Sequence, residues 1–94
     1  MSDSKNRTII TVLGKDSVGI IAKVCTYLAN NHINILDISQ TIVQGYFNMM
    51  MIVDLSNSSK PFADCSDELA QIGDELGVKI NCQREEIFDS MHRL

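Results

Sequence analysis

One feature constrains the fold of this chain more than any other. A run of β-branched residues ends at a glycine, and an apolar repeat with helical spacing follows soon after. Residues 8–13 have the composition and length of a buried strand, and Gly14 ends them. Beyond Gly14, apolar side chains recur at the spacing of an amphipathic helix. They are Val18, Ile21, Ala22, Cys25, Leu28 and Ala29. The pattern predicts a strand and a helix joined by a sharp turn within residues 14–21.

The ends of this first helix carry residues that can cap it. Asp16 or Ser17 can cap the start, because a short polar side chain accepts a hydrogen bond from a free amide of the first turn. Asn30 or Asn31 can supply the left-handed residue at the end. Because the first helical amides lack partners within the helix, the turn makes a small polar niche suited to a zwitterionic ligand.

Two further strands form a predicted hairpin. Residues 33–43 and 46–55 are joined at Gly45, which favours a tight turn. One face of the second strand is apolar throughout and consists of Phe47, Met49, Met51, Val53 and Leu55. The other face carries Met50 and Ile52 among polar residues. Because the solvent face of a half-covered sheet should be mostly polar, these two residues predict a covering surface such as a second subunit.

The remaining sequence predicts a second helix and a last strand. Pro61 suits the first turn of a helix, and Gly77 supplies its left-handed end. The apolar stripe between them is Phe62, Cys65, Leu69, Ile72, Gly73 and Leu76. Residues 78–82 alternate as a strand, and an apolar stripe within residues 85–94 predicts a short helical tail.

The order of these elements is βαββαβ, which predicts an α+β fold of the ferredoxin-like type. This is a two-layer sandwich in which an antiparallel four-stranded sheet carries two helices on one face, here followed by a short C-terminal helical tail. A chain of 94 residues with 45% hydrophobic side chains suffices for one compact domain and is too short for two. We therefore expect a single domain over residues 1–94, with a core over about residues 7–84 and a tail over residues 85–94.

Charge and cysteine content argue against several functional classes. The net charge is -4, from 8 basic and 12 acidic side chains without a basic run, which argues against nucleic acid or an anionic membrane as a partner. The polar amino terminus precedes no apolar stretch of signal-peptide length, so a cytoplasmic location is expected. Cys25, Cys65 and Cys82 contain no C-x-x-C pair, so neither a disulfide framework nor a zinc site is predicted. We expect no metal and no cofactor.

The chemistry of the predicted niche suits an α-amino acid. Free amides around Ser17, Val18 and Gly19 fit a carboxylate, Asp16 fits an ammonium, and Asn34 offers a donor or an acceptor. The ligand-binding candidates are Gly14, Asp16, Ser17, Val18, Gly19 and Asn34. A structural explanation stays open beside this one. In that explanation, Asp16 only caps the helix, Gly19 permits close helix packing and the Asn34 side chain hydrogen-bonds the backbone of a turn.

No catalytic constellation is recognisable. Gly14 and Gly19 have the glycine spacing of a phosphate-binding P-loop, but Ile20 and Ile21 replace the lysine and the hydroxyl residue that would hold phosphates and metal. The two histidines lack a serine, a cysteine or a second histidine organised around them. The sequence therefore predicts a binding protein with no catalytic residue.

Residues 14–20, the helix after them and Asn34-Ile35 at the opening of strand two resemble an ACT domain over roughly residues 7–84. Within that family the chain most resembles small stand-alone ACT proteins of bacteria and archaea, related to glycine-cleavage-type regulators, through residues 37–41 and the methionine-rich strand. The resemblance implies a non-catalytic regulatory domain that binds an amino acid or similar metabolite at a dimer interface and modulates a metabolic enzyme or regulator. It also implies that Asp16 faces the ligand and that Asn34 hydrogen-bonds it across the dimer.

Two other functions stay open. A small ferredoxin-like enzyme, such as an acyl phosphate hydrolase, would need an anion-binding arginine beside the first loop, whereas Arg7 precedes strand one and Arg84 and Arg93 lie near the far end. An interaction adaptor without a ligand would use the tail stripe of Ile87, Phe88, Met91 and Leu94. The expected partners are a small-molecule amino acid or metabolite, further copies of the chain in a homodimer or higher oligomer, and a metabolic enzyme.

Overall fold

The computed structural model describes residues 7–15 and 18–84. Six elements follow one another in the order β1 (Arg7–Gly14), α1 (Val18–Asn30), β2 (Asn34–Val43), β3 (Tyr46–Asp54), α2 (Phe62–Leu76) and β4 (Lys79–Arg84). The strands form one antiparallel sheet in the order β2-β3-β1-β4. The predicted ferredoxin-like βαββαβ fold is thereby confirmed, while the predicted tail helix lies outside the described residues.

The hydrophobic core lies between the two helices and one face of the sheet, called here the helix side. Alternate residues of β3 form its centre, and all four are at most 1% exposed: Phe47, Met49, Met51 and Val53. The rest of the core comes from β1, β4, both helices and the segment between α1 and β2, namely Ile10, Val12, Ile20, Val24, Leu28, Ile33, Cys65, Leu69 and Ile80. The predicted apolar face of this strand is confirmed, because alternation along a strand puts every second side chain on the same side.

The buried face of helix α1 is shifted from the predicted one and shares Leu28 with it. Ile20, Val24 and Leu28 are buried, whereas Ala22 and Ala29 of the predicted stripe are exposed. The buried residues follow one another at intervals of four, which is also a helical spacing. Since isoleucine and valine bury more apolar area than alanine, the larger side chains take the core face.

Both helices end in a Schellman motif, in which an amide beyond the helix bonds back to a carbonyl five residues earlier. At the end of α2 the left-handed residue is Gly77, with φ 73°, which confirms the prediction. At the end of α1 the amide of Ile33 donates to the carbonyl of Leu28 at 2.9 Å. The left-handed residue there is His32, with φ 59°.

The expectation that Asn30 or Asn31 would adopt the left-handed conformation is therefore wrong. The side chain of Asn31 is instead turned back onto the helix, where its Nδ2 donates to the carbonyl of Tyr27 at 2.9 Å. Asn31 is 9% exposed, so this hydrogen bond satisfies a buried amide. Histidine tolerates the left-handed region better than most residues with a side chain, so the helix can end one position later.

The hairpin between β2 and β3 turns through Gln44 and Gly45. Their φ angles are 53° and 83°, and positive φ at both central residues defines a type I′ turn. This turn matches the twist of the two strands, so the predicted hairpin is confirmed.

A β-bulge between Ile35 and Asp37 interrupts the pairing of β2 with β3. A bulge adds one residue to one strand and shifts its alternation. Beyond it, Ile38 pairs with Met51 and Ile42 pairs with Phe47. Because their partners lie in the core, Ile38 and Ile42 project to the helix side of the sheet. The sequence pattern did not reveal this bulge.

Candidate functional site

The predicted site residues divide between opposite ends of the sheet. At one end, Gly14 pairs with Phe47. At the other end, Asn34 pairs with Asp54, which in turn pairs with Arg7. The seven residue steps of extended strand from Arg7 to Gly14 separate these ends by about 23 Å. Within one chain, therefore, Asn34 and Gly14 do not line a common niche.

The turn itself is described only in part. Asp16 and Ser17 lie outside the described residues, and α1 begins at Val18. Gly19 is exposed in the first turn of the helix, and a Cβ added there would meet no described atom within 4 Å. Packing within the described part of the chain does not require a glycine at position 19. The explanation that Gly19 permits close helix packing finds no support in these contacts.

Gly14 has a clear packing role. A Cβ added at this position would overlap the side chain of Val78, at the junction of α2 and β4. Real Cβ atoms do not approach other atoms that closely, so only glycine lets the end of β1 pass this junction without a shift. The sequence prediction gave Gly14 a ligand-binding role, and the structure adds a packing reason for the same residue.

A pocket of about 540 Å³ opens beside Gly14, and we call it the Gly14-end pocket. Its side chains are the apolar Leu13, Tyr46 and Val78 and the charged Lys15, Asp74 and Lys79, and glycines at the ends of β1 and α2 complete the wall. The ammonium of Lys15 lies over the ring of Tyr46, 5.5 Å from its centroid. Sequence reasoning missed Tyr46 and Lys79, which the strand register brings to this end of the sheet, and Asp74, which lies in the last turn of α2.

A second pocket of about 350 Å³ lies beside Asn34, and we call it the Asn34-end pocket. It is lined by His32, Ile33, Asn34, Asp54 and Asn57. The Asp54 carboxylate accepts hydrogen bonds from the Ser56 hydroxyl at 2.6 Å and from the Ser56 amide at 2.9 Å. These two bonds lower the pKa of Asp54, the hydroxyl contributing most. The pocket thus combines amide groups with a carboxylate that is ionised at neutral pH.

Strand β2 forms one edge of the sheet and carries an apolar patch, which we call the β2 edge patch. It consists of Leu36, Ile38 and Ile42, which are 44%, 40% and 69% exposed. Ile38 and Ile42 lie on the helix side of the sheet, yet the two helices leave them uncovered. Edge strands also present unpaired backbone groups, so an exposed apolar edge is a ready surface for another strand.

The open face of the sheet, opposite the helices, is exposed unevenly. Met50 is 39% exposed and Ile52 is half-buried in the single chain, so the predicted covering by a surface such as a second subunit stays a prediction. Leu13 and Tyr46 on this face are 50% and 49% exposed, whereas Ile9 is only 5% exposed. The exposed apolar side chains on this face therefore lie toward the Gly14 end.

A polar cluster joins the two helices on the outer surface. The hydroxyl of Tyr27 donates to Glu68 Oε1 at 2.6 Å, and Lys60 Nζ lies 2.8 Å from both Glu68 oxygens. Burial, followed by the hydrogen bond to Glu68, raises the pKa of Tyr27 above its usual value. The Lys60 and Tyr27 hydrogen bonds lower the pKa of Glu68. Each polar group of this cluster has a hydrogen-bond partner within the cluster, so the cluster has a structural role in joining the two helices.

The cysteines carry no sign of reactivity. Cys65 is buried, and Cys25 and Cys82 are half-buried free thiols. Burial raises the pKa of Cys82 to about 12, so its thiol is protonated at neutral pH. Within residues 7–15 and 18–84, no three histidine, cysteine or acidic side chains are grouped to hold a metal ion. No helix in the same part of the chain is long and apolar enough to cross a membrane.

Comparison with known proteins assigns the chain to a family. A family model described as the ACT domain matches residues 6–83. The UPF0237 protein of Bifidobacterium longum is 61% identical over 89 residues, which cover 95% of this chain and 99% of that protein. The solved structure of an ACT domain protein from Streptococcus pneumoniae has a TM-score of 0.77 and 43% identity, covering 88% of this chain and 93% of the other.

A more distant structure shares the fold alone. It is a candidate glycine cleavage system transcriptional repressor, with a TM-score of 0.72 and 22% identity, covering 83% of this chain and 44% of that chain. The ACT domain family is generally regulatory and non-catalytic, and its members bind small molecules and dimerise. The extent of the family match and the high identity to its small members show that this chain belongs to the ACT domain family.

Proposed function

We propose that this protein is a non-catalytic regulatory domain that binds an amino acid or similar small metabolite at a homodimer interface and modulates a metabolic enzyme or regulator. The observation that carries the proposal is the β2 edge patch. Its Ile42 side chain is 69% exposed on the helix side of an edge strand, where a monomer would leave it in water. Pairing of β2 with the β2 of a second chain would cover the patch and extend the sheet.

Such a pairing also supports an interfacial site. If two copies of β2 pair in antiparallel fashion about a two-fold axis, the Asn34 end of one strand lies beside the Val43 end of the other. The strand register places Val43 of β2 and Gly14 of β1 at the same end of the sheet. A second chain would therefore bring Asn34 toward the partner's first turn, which a single chain keeps about 23 Å away.

The hydrolase alternative has less support from the described residues. Among the described residues, the cations that line the Gly14-end pocket are Lys15 and Lys79, and no arginine lines it. Arg7 lies at the opposite end of the sheet, and the guanidinium of Arg84 lies over the ring of Phe62, 5.0 Å from its centroid. An acyl phosphate hydrolase needs an anion-binding arginine at the first loop, so regulation is the better proposal.

Thermal denaturation in the presence of each of the twenty amino acids tests the proposal. A ligand present at one hundred times its dissociation constant stabilises the folded state by about 2.7 kcal/mol. We expect at least one amino acid to raise the melting temperature of the wild type, and Asn34→Ala to reduce that shift. Gln71→Ala, which removes an exposed amide from α2 and leaves β2 unaltered, is the matched control. Stabilisation by none of the twenty would contradict the amino-acid proposal and favour an adaptor.

A further inference from the structure

We propose that residues 85–94, the tail, pack as a short amphipathic helix against the open face of the sheet of the same chain. The contact covers Ile9 and Ile52 and leaves Leu13 and Tyr46 exposed. In this arrangement the chain itself closes the open face at the end that carries Arg7. The apolar stripe of the tail is then not free for a partner protein.

The burial of Ile9 indicates that a segment covers this end of the open face. Ile9 lies on the open face, because its neighbour Ile10 belongs to the core between the sheet and the helices. Ile9 is nevertheless only 5% exposed, and it is not part of that core cluster. Its partners in the sheet, Ile52 and Gln83, lie beside it. Since both helices pack on the other face, a further segment accounts for this burial.

The exposure of apolar side chains on the open face increases with distance from Ile9. Ile52, which pairs with Ile9, is half-buried. Met50 pairs with Thr11, about 7 Å farther along the strands, and is 39% exposed. Leu13, about 13 Å from Ile9 along β1, is 50% exposed. The covered part of the face is therefore short.

The tail has the length and the residue pattern of such a cover. Its apolar residues recur at helical spacing on one side and are Ile87, Phe88, Met91 and Leu94. On the other side, Asp89 stands four residues before Arg93, an arrangement that stabilises a helix. A helix over residues 87–94 is about 12 Å long. It can therefore cover Ile9 and Ile52 without reaching Leu13.

The tail also begins beside the residue that it is proposed to cover. Strand β4 ends at Arg84, and the preceding residue, Gln83, pairs with Ile9. The chain therefore leaves the sheet next to Ile9. Residues 85–86 form a connection of two residues, which lies within the usual range for a strand followed by a helix.

Other covers fit these observations less well. Residues 1–6 carry one apolar side chain, Met1, and residues 16–17 follow Gly14 at the opposite end of β1. A second copy of the chain would bury Ile9 only on assembly, whereas Ile9 is buried in the single chain. The tail combines an apolar stripe, a suitable length and a starting point beside Ile9.

Methyl NMR of protein with labelled isoleucine δ1 groups tests this inference. We expect nuclear Overhauser effects (NOEs) between the Ile9 methyl and the Phe88 ring. A soluble gadolinium chelate should relax the Ile9 methyl far less than that of Ile42, which is 69% exposed. Phe88→Ser should increase the chelate effect on Ile9 and lower the melting temperature by about 4–8 °C. Arg93→Ala, which shortens a side chain on the polar side of the tail, should leave the chelate effect unchanged.

An isotope-filtered spectrum of mixed labelled and unlabelled chains distinguishes contacts within a chain from contacts between chains. We expect the NOEs between Ile9 and Phe88 within one chain, and Ile42→Glu, which alters the β2 edge patch, should retain them. Three results would each overturn the inference: no NOE between the tail and Ile9 in the wild type, Phe88→Ser behaving as Arg93→Ala does, or NOEs found only between chains. The last result would show that the tail covers a second copy. The NOEs are measured in the wild type, so the test does not depend on the folding of a variant.

Discussion

The Gly14 end of the sheet combines apolar side chains with two lysines and an aspartate, whereas the Asn34 end combines amides with a carboxylate. Two lysines against one aspartate make the charge of the first pocket mainly positive, whereas Asp54 adds a negative charge to the second. Residues 14 and 34 are close in sequence, but α1 lies between them and carries the chain back along the sheet. The comparison shows that two parts of one sequence motif can occupy separate chemical environments.

The largest effect is expected at Gly14, where packing rather than ligand binding makes glycine necessary. Gly14→Ala would force its Cβ into Val78, and overpacking of this kind costs about 1–3 kcal/mol of unfolding free energy. Urea denaturation measures the loss. The control is Gly19→Ala in the same motif, where a Cβ meets no described atom and alanine favours the helix by about 0.5–1 kcal/mol.

A double variant makes this test specific. Val78→Ala removes the Cγ1 atom that a new Cβ at position 14 would overlap most, and it keeps the Cβ of residue 78, which the new Cβ would also approach too closely. In the Val78→Ala background, Gly14→Ala should therefore cost less than it does in the wild type, as a coupling between two contacting residues. Equal losses of unfolding free energy in the two backgrounds would show that contact with Val78 does not require a glycine at position 14.

The second-largest effect is expected on the stability of the proposed homodimer, which would bring the Asn34 end of one chain toward the Gly14 end of the other. Ile42→Glu places a charge in the β2 edge patch, and we expect the dimer dissociation constant to rise at least about tenfold, since an unpaired charge in an apolar interface is unfavourable. Analytical ultracentrifugation across a concentration series measures the change. Thr41→Glu is the matched control, because Thr41 pairs with Asn48 and projects to the open face. Dissociation by Thr41→Glu alone would assign the interface to the open face.

The smallest effect is expected from the carboxylate of the Asn34 end. The pKa of Asp54 is below its ordinary value because the Ser56 hydroxyl and amide donate hydrogen bonds to it. The group therefore adds stability above its unfolded pKa of 3.8, and this contribution disappears as the pH falls through the lower folded pKa. Chemical denaturation between about pH 2 and pH 6 should show a weaker acid dependence for Ser56→Ala than for the wild type. An unchanged profile would contradict this assignment.

Much of the fold was predictable because strand alternation and turn residues act locally. The buried face of β3 followed from a two-residue period, and Gly77 followed from the backbone conformation that ends a helix. The core face of α1 was predicted only in part, because a helix rich in apolar residues offers more than one acceptable stripe. Only contact with the sheet selects Ile20 and Val24 over Ala22 and Ala29.

The candidate sites were less predictable than the fold. Gly14 and Asn34 were recognisable as special positions, but the sequence did not show that they lie at opposite ends of the sheet. Tyr46 and Lys79 are distant in sequence from Gly14 and carried no motif that linked them to it. They share its pocket because the antiparallel register aligns the end of β1 with the starts of β3 and β4.

By itself, the sequence determined the order of the six elements, the apolar face of the β3 strand and membership in the ACT domain family. These properties depend on residue periodicity, local backbone preference and similarity along the chain. Tertiary structure alone decided which face of α1 is buried, where the bulge in β2 redirects Ile38 and Ile42, and which charged groups meet beside Gly14. The physical reason is that these features arise from contacts between elements, whose register and packing no single segment encodes.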